Sequence, residues 1–145
     1  LKKTALNVKL NGALAGLVVI TADPFSPSPE MAALYGAIGG LIVPISMALL
    51  EKWGIDDPVG AISVHGVAGI VGLMLVPILN TDATLYGQAL GTGAIFIFVF
   101  GTSLAVWYLL KMTIGLRVGA EEELVGSDMW ETGESAYPEF MDNNK

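Results

Sequence analysis

The chain has no cysteine, which removes disulfides, thiolate metal sites and thiol nucleophiles together. It has one histidine, His65, so an imidazole cluster with metal-ligand spacing is excluded too. Charged residues make up 14% of the 145, and 7 bases stand against 14 acids, which leaves no basic patch to hold nucleic acid. His65 has no carboxylate pair within helical reach and no glycine-rich phosphate loop beside it. Asp57 is about two turns away. No enzyme activity, cofactor or metal is therefore expected.

What remains is mostly apolar. At 53% hydrophobic residues and a mean hydropathy of +0.63, the chain reads as an all-α, polytopic membrane helix bundle. Four spans are predicted, at about 4–22, 30–53, 58–79 and 85–110, giving a transmembrane region over 1–111 and a tail over 112–145. Pro24, Pro27 and Pro29 remove donors and push their predecessors to extended geometry, so they make a loop between the first two spans. Pro44 is a kink point in the second span, and Gly36-x-x-x-Gly40 offers a face where another helix approaches closely. Gly66, Gly69 and Gly72 leave a bare flank in the third, suited to tight packing or to a narrow lumen. The fourth carries Gly87-x-x-x-Gly91 and the rings of Phe96, Phe98 and Phe100, read as lipid-facing or interhelical.

Lys2, Lys3 and Lys9 precede the first span, Lys52 lies between the second and third, and Lys111 and Arg117 follow the fourth. The loops around Pro27 and Asp82 carry no base. The positive-inside rule makes the basic side, and both termini, cytoplasmic. The opening Leu1-Lys2-Lys3 has no initiator methionine and no cleavage motif after it, so the chain reads as truncated at its start, without a signal peptide. Many of the acids lie in the tail, an acidic run interleaved with Trp130, Tyr137 and Phe140, a pattern suited to docking.

The stretch from Asp56-Asp57-Pro58 to Val64-His65-Gly66 organises the rest. Asp56 or Asp57 is expected to cap a helix with Pro58 at its first position. At about 1.5 Å per residue His65 then lies roughly 11 Å above the cap, well inside a ~30 Å hydrocarbon core. Two readings are open: a histidine that packs and donates one hydrogen bond to a neighbouring helix, or a polar group lining a path. A neutral imidazole both donates and accepts, so it can pass on a small polar molecule without desolvating a full charge.

Three blocks together resemble the ammonium transporter (Amt/Rh) family: the Asp56–Gly66 stretch, Asn11-Gly12-Ala13-Leu14-Ala15-Gly16-Leu17-Val18 with Ile20-Thr21-Ala22, and Gly115-Leu116-Arg117-Val118 with Glu121-Glu122-Glu123 and Gly133-Glu134-Ser135-Ala136-Tyr137. The resemblance covers almost the whole chain. It implies the last four helices of an eleven-helix protomer, plus a cytoplasmic regulatory tail, in a homotrimer of the cell membrane with one pore per subunit. It places His65 on the second histidine of a mid-pore pair, Ala61 on a pore-facing position and Asp57 on a helix-capping acid. The tail matches at Gly115, Arg117, Gly126, Asp128, Gly133 and Tyr137, and departs at Ser127, where leucine is usual, and at Thr132, where a histidine commonly precedes the glycine. PII-type signalling proteins are the implied partner of such a tail.

The function expected is movement of ammonium or ammonia through a narrow apolar pore with a mid-pore histidine. The alternatives are an ammonium sensor signalling through the tail, and a membrane scaffold without a pore. A bare cation in an apolar lumen faces a large desolvation barrier, which favours separate passage of nitrogen and proton.

Overall fold

The computed structural model describes residues 6–134. These residues form helices α1 (Leu6–Thr21), α2 (Pro29–Lys52), α3 (Ile62–Leu79), α4 (Leu85–Thr113), α5 (Ala120–Val125) and α6 (Ser127–Thr132). The first six residues of α3, Ile62–Val67, are π-helical, and Ala68–Leu79 is ordinary α-helix. Among the described residues there is no strand. Helices α2, α3 and α4 are long and apolar enough to cross a membrane, while α1, at 16 residues, is a shorter apolar helix. The expected first-span start at Thr4 and the bases Lys2 and Lys3 lie outside the described residues. The chain divides into two units between Phe98 and Val99, within α4.

In the first unit α1, α2 and α3 pack through small residues. Each buries one row: Asn11, Ala15 and Val19 on α1; Tyr35, Gly39, Val43, Ser46 and Leu50 on α2; Ser63, Val64, Ala68, Gly72 and Val76 on α3. Among the described residues nothing larger than valine is fully buried. In lipid no hydrophobic gain drives helices together, so close contact between backbones carries the association. A Cβ on Gly16 would lie 3.1 Å from the Gly36 carbonyl oxygen, one on Gly39 2.6 Å from that of Ala15, and one on Gly72 2.6 Å from that of Val19. Gly12 faces Gly40 as Gly16 faces Gly36, so α1 and α2 run antiparallel along a two-sided glycine seam. Gly36-x-x-x-Gly40 thus has its counterpart in Gly12-x-x-x-Gly16.

Polar links tie α3 to α2. The Tyr35 hydroxyl donates to the Leu75 carbonyl at 3.3 Å and the Ser46 hydroxyl to that of Ser63 at 3.0 Å. Helix α2 begins at the Ser28 cap, whose side chain accepts from the Met31 N–H, and continues through Pro44. Helix α4 buries no residue, and Phe96, Phe98 and Phe100 are more than half exposed.

The second unit holds the end of α4 and the short helices α5 and α6. Glu122 accepts from the Gly119 N–H at 2.7 Å and caps α5.

Candidate functional site

The turn before α3 departs from the expected geometry. Pro58 is not the first helical residue. The Gly60 N–H donates to the Asp57 carbonyl at 3.0 Å, closing a four-residue turn with Asp at its first position, Pro at its second and Gly at its fourth. Gly60 takes φ +76° and the helical path begins only at Ala61. The Asp57 carboxylate reaches over this turn, Oδ1 accepting from the Ile62 N–H and Oδ2 from the Ser63 N–H, each at 3.1 Å. Asp57 thus satisfies two orphan donors at the head of the helix. Counted from Ala61, where the helical path begins, His65 lies about 6 Å along the helix at the α-helical rise, against about 11 Å counted from Pro58.

Further hydrogen bonds fix the backbone of this turn and of the helix head. The Val64 N–H donates to the Gly60 carbonyl at 2.8 Å, and the Ala68 N–H reaches five residues back to that of Ser63. Ser63, whose N–H an α-helix would give to Val59, gives it to Asp57 instead. The Val59 carbonyl is taken by the side-chain amide of Asn11 on α1, at 3.1 Å. Asn11 is buried, 6% exposed, and lies so close to Gly60 that a side chain there would collide with the amide.

The π-helical turn presents two faces. Ser63 and Val64 are fully buried against α1 and α2, and the next two residues, His65 and Gly66, are exposed. Ala61 is exposed one turn before His65, and Ile62 and Ile70 are exposed on the same helix. Among the described residues the imidazole is therefore not part of the packed core. It stands, among these residues, at an exposed position on an otherwise apolar helix face. π-helical turns inside longer helices often occur at functional positions. An apolar cavity of about 260 Å³ lies beside this region, lined by Ile42, Ile45, Leu49, Trp53 and Val67 among others.

The tail residues lie in the second unit. Gly115, Gly126 and Gly133 take φ of +82°, +95° and +73°, left-handed conformations that a side chain would strain, and they mark the ends of α4, α5 and α6. Arg117 is exposed, and Asp128 sits in the first turn of α6. Tyr137 lies outside the described residues.

Asn11, Tyr35, Ser46 and Ser63 were not singled out from the sequence as polar links. The available signal was their polarity within apolar spans, where such groups must find partners.

The fold and this site define a multi-pass membrane helix bundle that carries its single histidine at an exposed helix position. The family model for the Ammonium Transporter Family matches residues 1–137, and the chain belongs to that family. It is 36% identical over 159 residues to ammonium transporter Amt2 of Archaeoglobus fulgidus, covering 96% of this chain and 34% of the relative. It is 41% identical over 141 residues to ammonium transporter Amt2 of Methanocaldococcus jannaschii, covering 89% and 33%. Ammonium transporter Amt1 of Haloferax mediterranei is 40% identical over 136 residues, covering 90% and 26%. The chain spans about a third or less of the length of these relatives.

Proposed function

We propose that a full-length transporter containing these residues moves ammonium nitrogen across the cytoplasmic membrane through a narrow apolar pore, with His65 and Ala61 on the pore wall. The observation that carries this reading is the split of the π-helical turn: Ser63 and Val64 are fixed inward while His65 and Gly66 are left open. A buried polar contact would spend the imidazole inside the bundle. An open, apolar face leaves its nitrogens for a small hydrogen-bonding solute, and family membership supports ammonium as that solute. An imidazole both donates and accepts, so it can hand on a small solute by hydrogen bonds.

In the same reading the protein is a homotrimer, residues 112–145 are a cytoplasmic regulatory tail, and a PII-type protein is its partner. Methylammonium uptake into vesicles reconstituted with the full-length protein tests the proposal. Uptake well above empty vesicles supports a pore, and uptake equal to them leaves a scaffold without one.

A further inference from the structure

We infer that Asn11 is a positioning residue for the pore: its amide sets where α3 begins and thereby holds the π-helical turn that presents His65. The inference rests on the pore reading above.

The hydrogen-bond accounting points to this role. The Asp57–Gly60 turn leaves the Val59 carbonyl without a helical donor, because the Ser63 N–H is committed to the Asp57 carboxylate. The Asn11 amide supplies the missing donor from another helix, 48 residues away in sequence. A second contact of the same nitrogen, 3.9 Å from the Met47 sulfur, places it between α2 and the turn. Gly60 is packed directly against it. Without the amide, the Val59 carbonyl competes with Asp57 for the Ser63 N–H, as in an unbroken α-helix. Taking that N–H loosens the Asp57 cap and resets the turn two residues before His65. An unpartnered carbonyl in this setting is strongly disfavoured, so one of the two rearranges.

The experiment uses the full-length protein with Asn11→Leu, which keeps the volume and loses the donor, and Asn11→Asp, which donates only while its carboxyl is protonated. Two readouts are taken: methylammonium uptake per molecule of membrane-inserted protein, as a ratio to wild type at each pH, and amide hydrogen exchange of peptides covering 57–67. Asn11→Leu is expected to lower uptake on the order of tenfold or more at every pH, with faster exchange in 57–67 and unchanged exchange in α2 and α4. Asn11→Asp is expected to approach wild type at low pH and fall toward Asn11→Leu as pH rises, because ionisation replaces a donor by a repelling oxygen. If Asn11→Leu does not insert, the pH-dependent ratio of Asn11→Asp alone decides. Wild-type exchange over 57–67 in Asn11→Leu, or an Asn11→Asp ratio flat with pH, overturns the inference. Altered exchange with uptake that is insensitive to His65→Ala instead sinks the pore reading and leaves the local role of Asn11 standing.

Discussion

The Ser46 hydroxyl donates to the Ser63 hydroxyl at 3.0 Å, and both serines are buried between α2 and α3. Two residues beyond Ser63 the chain turns outward and exposes His65. The pair therefore marks the fixed side of a turn whose other side is open. Replacing either serine by alanine leaves its partner without this bond and is expected to cost about 1 kcal/mol. In a double-mutant cycle on the full-length protein, Ser46→Ala with Ser63→Ala should be less destabilising than the two singles added, by about 0.6 kcal/mol. Strict additivity of the unfolding free energies would show that the hydroxyls are not coupled.

Gly72 fixes the spacing of α1 and α3. A Cβ there would meet the Val19 carbonyl oxygen at 2.6 Å and the Val19 Cα at 3.0 Å, both backbone atoms that cannot rotate away. Gly72→Ala is expected to destabilise by about 1–3 kcal/mol despite the better helix propensity of alanine. Thermal unfolding of the purified variant checks it, and an unchanged or raised midpoint would contradict it.

Asp23 joins the end of α1 to the end of α3. The Ser26 hydroxyl at 2.6 Å, above all, and the Asn80 amide at 3.0 Å hold its carboxyl below the ordinary carboxylate range. A value lowered by folding contributes stability that is present above the unfolded value, about 3.9, and is lost as pH falls through the folded one. The difference in melting temperature between wild type and Asp23→Asn should thus be constant from neutral pH to about pH 5 and narrow below about pH 4. A gap that widens on acidification would contradict the assignment.

The tail is expected to act on the pore without forming it. Deletion after Gly119 from the full-length protein should leave methylammonium uptake intact and abolish binding of a PII-type partner. Loss of uptake in correctly inserted protein would make the tail part of the conducting unit. Partner binding retained by the deleted protein would place the docking surface elsewhere.

Long apolar runs and the prolines between them made the all-helical membrane character of the chain legible, since such runs have few alternatives in a membrane. The head of α3 was not legible. Aspartate before proline fits a helix cap with Pro58 as first helical residue and equally a turn with Pro58 second. Gly60, left-handed at φ +76°, decides for the turn. The row Gly66, Gly69 and Gly72 reads as one bare flank at three-residue spacing, but a helix advances 3.6 residues per turn and the row rotates. Gly72 is buried against Val19, Gly69 reaches only the Val18 side chain, and Gly66 is exposed beside His65. The role of Asn11 is not legible because its partner, the Val59 carbonyl, belongs to a turn whose shape local sequence does not determine.

His65 carries the central claim, and its most direct test is methylammonium uptake by full-length protein bearing His65→Ala, normalised to the amount inserted in the membrane. If His65 lines the pore as proposed, removing the ring takes a donor and acceptor from the pore wall, and uptake should fall to the background of empty vesicles. Uptake at the wild-type rate would contradict the account, leaving the imidazole as an exposed side chain with no part in conduction.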